Sequence, residues 1–443
     1  MAKQRKLSFF AMVVVFSMLA CGPLQQATVT SPPSVTSTLM PTLEQIPTLT
    51  ATHTIVPLPD PTTTPTQLPE QLPEDIGPFR FVTSVPNPLL DPYSSVQVRA
   101  LADGSVWIIT SQEVIRWYDQ TWEVVLSESE DFLAAVDDGG RLWVLRQDTS
   151  AIVAWQDGQW ITYDADSGWT SIYSFDEMSW LAPASWSVYS DTSGAIWLPL
   201  TRDVRAFDGT RWSLYTLEDM DFPLPEEDDI GIIHSLAMRE GGAEIWIGGC
   251  YYSGPGPMGG QGVRWFDGKT WYGVEAPVGS TCVSALDVDS EGNVWLGAYR
   301  VIWRYEYAGQ SWTSYRLPDT LLIDYSFAYP LQLIVDHVGD VWAIMQMCGG
   351  ASCSGAAHLY RIHNEEWSLI FESQDSFMPL KQLAMDGGGQ VWLFWDGMVY
   401  QFEEESVKQV AIIGARSIDV SADGVLWVLE ENKDGANLWV LEQ

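Results

Sequence analysis

The sequence predicts an all-β fold, a β-propeller of eight four-stranded blades whose last blade is closed by an N-terminal strand. Three observations carry this. An apolar–Trp pair preceded by a turn recurs eight times from residue 97 onward, at spacings of 35 to 54 residues. Each recurrence is followed by short alternating strands, the content of a propeller blade. The eighth unit ends one strand short, and a spare alternating strand stands just before the first. Composition agrees, since 23 Trp, 36 Gly and 25 Pro in 443 residues suit strands and turns rather than long helices.

The first twenty residues read as an export signal. Lys3, Arg5 and Lys6 form a basic start, and Leu7 to Ala20 is an apolar run too short to span a membrane comfortably. The run ends in Met18-Leu19-Ala20-Cys21. Those residues resemble a bacterial lipobox, with Met18 where Leu is usual. The resemblance implies cleavage before Cys21 and acylation of its thiol and new amine; the alternative is a plain secretory signal that contains a Cys. Each buried CH2 of an acyl chain contributes roughly 0.8 kcal/mol, so several chains anchor stably. Gly22 follows, not the Asp that usually retains such proteins at an inner membrane. No later apolar run reaches spanning length, so the membrane contact expected is the lipid alone.

Residues 21–77 then read as the lipidated Cys and a disordered Pro/Thr-rich linker. Residues 31–70 hold nine Pro and eleven Thr, half of that segment. Such a stretch buries too little surface to offset chain entropy. Fully extended at ~3.1 Å per residue, it spans on the order of 170 Å and holds the folded part off the membrane.

Residues 78–443 are the expected propeller, at about 46 residues per blade. The first Trp of each unit is Trp107, Trp143, Trp197, Trp246, Trp295, Trp342, Trp392 and Trp427. Turns such as Ala102-Asp103-Gly104, Asp138-Gly139-Gly140 and Asp386-Gly387-Gly388-Gly389 precede them, with Gly or Asn able to take positive φ. A second Trp follows at Trp122, Trp160, Trp212, Trp271, Trp312 and Trp367, and units seven and eight lack it. Arg80 to Val85 is the spare strand, expected to pair with the last strand of the chain and remove the open edge. A seven-bladed ring stays open as the alternative if one unit is malformed.

The unit Asp289 to Gly297, with Val263 to Trp271 in the blade before, resembles the two-component regulator propeller repeats. The resemblance covers about 78–443 and implies the fold of extracytoplasmic sensor regions found in some hybrid histidine kinases. No kinase or receiver part is seen here, so signalling through a fused kinase does not carry over. Streptogramin-lyase propellers are more distant by pattern, and no lyase His can be placed by motif.

Strand direction alternates, so two kinds of loop share each face. One face holds the long insertions: 164–184, 217–231, 250–261, 317–330, 347–356 and 372–379. Function in propellers sits on rigidly mounted loops of this kind. Their aromatics, Trp169, Tyr173, Trp180, Tyr251, Tyr252, Tyr325, Phe327 and Tyr329, are the candidate ligand-binding residues, suited to stacking on sugar faces or peptide side chains. The bland alternative is that these rings pack the loops onto the blades. Four cysteines remain besides Cys21, an even number in an exported chain. Placement in adjacent blades predicts the pair Cys250–Cys282, and placement in one loop predicts Cys348–Cys353; the rival is a zinc site using all four.

Chemical motifs are sparse. A net charge of −36, moving to −39 when the signal takes away three basic residues, repels phosphate backbones, so nucleic acid is not an expected partner. Asp287 to Asn293 imitates the start of an EF-hand loop, but Ala298 stands where the closing Glu belongs. The acids Glu218, Asp219, Asp221, Glu226, Glu227, Asp228 and Asp229 are a better cation candidate, read foremost as a solvated loop. His234, His337, His358 and His363 form no metal pattern, and no nucleophile elbow, zincin motif or phosphate loop is present. No cofactor, metal or catalytic residue is therefore expected. The expected function is a monomeric, lipid-anchored, extracytoplasmic, non-catalytic binding or sensor module. Its ligand would be a glycan, a peptide or an envelope protein on the long-loop face. The alternatives are an extracellular polysaccharide lyase or hydrolase, including a streptogramin-lyase-like enzyme, and an envelope assembly scaffold. A thiol assay on the folded, oxidised protein is expected to find none of the four propeller cysteines reactive; reactive Cys250 or Cys282 would overturn their pairing.

Overall fold

The computed structural model describes residues 79–85, 96–171, 187–191, 193–222, 230–238, 244–253, 256–274, 282–322, 327–348, 356–372, 381–403, 406–432 and 435–441. Cys21 and the Pro/Thr segment lie outside them. The chain forms eight four-stranded antiparallel sheets, the blades of a propeller. Blade 1 runs Gln97–Ala100, Val106–Ile109, Glu113–Tyr118 and Thr121–Ser127 from inside to outside. Innermost strands of blades 4 to 8 touch in succession, and Gln97–Ala100 of blade 1 meets Ala415–Val420 of blade 8, which closes the ring. Blade 8 is completed as the sequence predicts. Phe79–Val85 pairs with Gly435–Leu441, outside Leu426–Asn432 and Ala415–Val420. Among the described residues there is no α-helix, only the single turns Ala165–Ser167 and Asp319–Leu321.

The recurring turn has a specific chemistry. In blades 2, 3, 5, 6 and 7 it begins with Asp137, Asp191, Asp289, Asp336 or Asp386. One carboxylate oxygen accepts the backbone N–H groups two and four residues on, as in Gly139 at 3.0 Å and Arg141 at 2.9 Å for Asp137. The other oxygen accepts the indole N–H of the Trp six residues on, at 2.9 Å in all five. The fourth turn residue is Gly in seven blades, with φ between 78° and 88°. Gly389 shows why: a Cβ there would lie 2.5 Å from the His337 ring of the neighbouring blade. Blades 1 and 8 carry Leu101 and Ser421 in place of the Asp, and the turn persists through Leu101 N–H to Ser105 O at 2.9 Å and Ser421 N–H to Val425 O at 3.0 Å.

Held this way, each first Trp is a wedge driven into the next blade. Trp143 packs edge-on against Phe207 and Trp212, with centroids 5.5 and 5.2 Å away. Trp197 meets Phe266 and Trp271, and Trp342 meets Phe402. Trp392 of blade 7 meets Phe79, so the N-terminal strand supplies the aromatic that unit eight lacks. The second Trp therefore belongs to the interface between blades. Trp122 also donates its N–H to Ser84 O at 3.0 Å, fastening the outer strand of blade 1 to the closing strand.

The innermost strands leave one backbone edge facing the axis, and side chains of the preceding blade satisfy it. Asp287 accepts the Val335 N–H and Asp419 the Ala100 N–H, both at 2.8 Å and at equivalent repeat positions. Ser417 accepts the Val98 N–H, and Gln332 both donates to and accepts from Leu383.

The expected loop 250–261 is corrected. Ile245–Ser253 and Gly256–Phe266 continue as paired strands, so the insertion is a lengthened hairpin. Paired residues added to both strands extend the ladder, with two register shifts, and bond backbone groups that a loop would leave to water.

Asp386→Ala should destabilise the propeller by about 2–4 kcal/mol, because the buried Trp392 N–H and two backbone N–H groups lose their acceptor. Equilibrium urea unfolding checks this; a change below about 0.5 kcal/mol would remove the Asp–Trp bond from the account.

Candidate functional site

The long-loop face has roots fixed by one repeat position, the third-strand residue opposite the one that follows the first Trp. In blade 3 this is Arg205, fully buried and paired with Asp203 at 3.0 Å. Its guanidinium donates to Thr170 O at 2.7 Å and lies 4.1 Å from the centroid of Trp169. In blade 4 it is Arg264, which donates to Met220 O and Asp221 O at 3.1 and 3.0 Å beneath Phe222. In blade 6 it is Tyr360, whose hydroxyl donates to Leu321 O at 2.9 Å. Each binds the base of the loop entering from the preceding blade. Two of those bases close alike, with Trp169 N–H on Asp164 O and Phe222 N–H on Leu217 O, both 2.9 Å. Burial pushes Asp203 up from the usual carboxylate range, and the Arg205 charge opposes that.

Disulfide Cys250–Cys282 joins the second strand of blade 4 to the start of blade 5 on this face, as expected. Cys348 is also disulfide-bonded, and its expected partner Cys353 lies outside the described residues.

The candidate aromatics divide. Trp169 is 1% exposed, packs on Trp212 and donates its N–H to Thr149 O, so it holds a loop root rather than a surface. Tyr251 and Tyr252 lie in the lengthened hairpin, opposite Gly259 and Pro257. Phe327 and Tyr329 lie in the inner strand Phe327–Val335, opposite Cys348 and Gln346. Tyr329 is part-buried, which raises its phenol above the ordinary value. Tyr173, Trp180 and Tyr325 lie outside the described residues. Sequence reasoning missed Tyr299, 47% exposed in the turn between the second and third strands of blade 5. A single aromatic in a two-residue turn carries no length signal.

A second feature is the axis. The residues opposite each first Trp form a ring, whose polar members are Arg99, Tyr189, Asp287 and Asp419. Arg99 bonds Asp138 of blade 2 and lies 3.6 Å from Asp419 of blade 8. Asp287 and Asp419 are walled by protein yet part open, Asp419 having 17% side-chain exposure. Burial raises both carboxyls to about 6, with the accepted N–H bonds opposing it. Bulges at Ser284, Leu331 and Arg416 fall at one repeat position of the inner strands, and Leu331 is 42% exposed.

Other motifs resolve structurally. Asp289 spends both oxygens on Glu291, Asn293 and Trp295, so the EF-hand resemblance is a blade turn. Asp219 accepts from Thr216 in its own turn, while Glu226 to Asp229 lie outside the described residues. His358 is buried beside Tyr360, and His363 sits on Asp340 at 2.7 Å. Among the described residues no group of three or more His, Cys, Asp or Glu could hold a metal ion, and no helix is long and apolar enough to cross a membrane.

No family model and no curated protein matches the chain. Solved structures that resemble it are propellers at low identity. The extracellular domain of the hybrid two component system BT4673 from B. thetaiotaomicron is 14% identical, with a TM-score of 0.41, covering 80% of this chain and 51% of that one. PorZ, a surface component of the type-IX secretion system of Porphyromonas gingivalis, is 15% identical, with a TM-score of 0.38, covering 77% and 55%. Virginiamycin B lyase from Staphylococcus aureus is 12% identical, with a TM-score of 0.41, covering 76% and 100%. The chain thus spans about half the length of the BT4673 domain.

The axial carboxyls set a pH dependence. Their folded values lie above the unfolded value, so the folded protein takes up protons first. Stability should rise as pH falls through about 6 toward 4, and the penalty is full above that window. Asp287→Asn keeps an acceptor for Val335 and removes one charge. It should stabilise by about 2 kcal/mol at pH 7.5 and by little at pH 4. Denaturant unfolding at both pH values checks this, and an equal effect at both would contradict it.

Proposed function

We propose that this chain is an extracytoplasmic, lipid-anchored propeller that binds a ligand on its long-loop face without transforming it. One observation carries the reading, the contrast between the two faces. On one, the Asp–Trp turns are short and bonded within themselves. On the other, the insertions are rooted by Arg205, Arg264, Tyr360 and the Cys250–Cys282 disulfide. Fixed roots lower the ordering cost of binding, the usual reason for mounting variable loops on a rigid scaffold.

The ligand class proposed is a glycan or an extended peptide, held by aromatic stacking. Tyr299 and Tyr329 are the described rings available to it, with Tyr173, Trp180, Tyr251, Tyr252, Tyr325 and Phe327 as further candidates. Trp169 is withdrawn from that set, because its ring is spent on Arg205 and Trp212. Acylated Cys21 and residues 22–77 supply the anchor and the reach.

A thermal-shift screen of the oxidised chain against oligosaccharides, peptides and divalent cations tests the reading. A ligand at about 100-fold its dissociation constant adds about 2.7 kcal/mol to the native state. Tyr299→Ala should reduce a glycan-induced shift, measured against the variant's own ligand-free melting temperature. Turnover of any polysaccharide in the panel would replace this reading with an enzymatic one. Cys21→Ser should release the protein from membranes; retention of that variant would remove the lipid from the proposal.

A further inference from the structure

The second Trp of a blade belongs between blades, with one exception. Trp212 and Trp271 are buried against the preceding blade, and Trp312 and Trp367 are part-buried there. Trp160 of blade 2 is 41% exposed. Trp107 is met instead by Trp155, 5.6 Å away and edge-on, at the third-strand position that Phe207 and Phe266 hold in blades 3 and 4. Trp160 is left on the rim, with Arg146 at 5.9 Å as its cationic neighbour, and Arg146 is paired with Glu128.

The strand that carries it is itself unusual. Gln159–Tyr163 is the outer strand of blade 2, and among the described residues no strand lies beside its outer backbone edge. Its first four residues are all exposed, which holds for no other outer strand among the described residues. Its pairing has no bulge, whereas the outer strands of blades 1, 6, 7 and 8 are bulged. It contains no charged residue. A flat, uncharged, exposed edge is a template for an added strand. Trp160 and Ile161 are equally exposed and point to opposite faces of the strand, where they would flank the side chains of an incoming one.

We propose that the edge Gln159–Tyr163 docks an extended segment of another polypeptide, apolar and β-branched at its centre and basic at both ends. Charge selects this occupant. Exposed Asp157 precedes the strand, and exposed Asp164 and Asp166 follow it. A second copy would bring those acids against their own counterparts, on chains that each carry −36. Main-chain bonds supply affinity and the flanking acids supply direction, the mode of β-strand addition. The strand edge itself lies outside the long-loop insertions, although Asp164 and Asp166 begin one of them, and docking here does not require the ligand binding proposed for that face.

The test uses the full chain and a fluorescein-labelled probe, Lys-Lys-Val-Thr-Val-Thr-Lys-Lys, with a counterpart carrying Glu at the four Lys positions. Anisotropy should show saturable binding of the Lys probe, at least tenfold weaker binding of the Glu probe, and at least tenfold loss in Trp160→Ala. Hydrogen exchange of the 159–163 amides should slow when the Lys probe binds. Thr162→Lys leaves Trp160 in place and repels the probe, so it serves if Trp160→Ala fails to fold. No saturable binding, equal affinity for the two probes, or protection elsewhere would overturn the proposal. So would self-association that the probe does not displace.

Discussion

The bond from a turn aspartate to an indole N–H is the constraint on which the propeller depends. A Trp at the second-strand position presents a large apolar ring to the next blade, yet it has one N–H that cannot be buried unpaired without cost. In five blades the Asp of the same turn answers that N–H and also ties its own turn shut, while the indole N–H groups of Trp107 and Trp246 are buried without a partner among the described residues. One side chain thereby sets the local loop geometry and the angle at which the wedge enters its neighbour. Repetition around the axis then fixes how each blade meets the next. The Asp is missing from blades 1, 4 and 8, which carry Leu101, Glu240 and Ser421 there; blades 1 and 8 flank the seam, where Ser417, Asp419 and the Trp122–Ser84 bond supply the stitching.

Much of this was legible because the constraint repeats. A Trp in all eight units, a Gly at the fourth turn position in seven and an Asp in five survive the changes in loop length, so the blade count and the spare strand at 80–85 could be read without a template. What escaped reading depends on contacts that do not repeat. Val204-Arg205 and Val263-Arg264 look like ordinary alternating strand residues, and nothing in their spacing shows that each guanidinium turns back to bind the preceding loop. Trp169 reads as a loop aromatic, while its burial follows from Arg205, thirty-six positions on. The hairpin around Cys250 reads as a loop because its Gly and Pro content mimics one, yet both arms keep their ladder.

The site follows the same division. Its rigid parts, the loop roots and the Cys250–Cys282 bond, are built from residues the chain repeats or places in neighbouring blades. Its variable parts, the insertions themselves, share no repeated spacing, so only their length and aromatic content could be read. The axial carboxyls Asp287 and Asp419 are the counter-example. They look like chemistry, but each is committed to a backbone N–H of the next blade, which makes them seam fittings first.

The closing strand sets the order in which the molecule can be made. Ser84 and Asn437 are hydrogen-bonded across 353 positions, so blade 8 cannot exist until nearly the whole chain has emerged. Joining ends so far apart carries an entropic cost of about 5 kcal/mol by the logarithmic loop law. The intermediate blades form from neighbours and face no such cost. Assembly therefore ends, rather than begins, at the N-terminus. The first strand of the propeller to be synthesised is thus the last to find its place, and until then blade 8 is one strand short. Its bare edge, Gly435–Leu441, waits for the strand at the other end of the same chain.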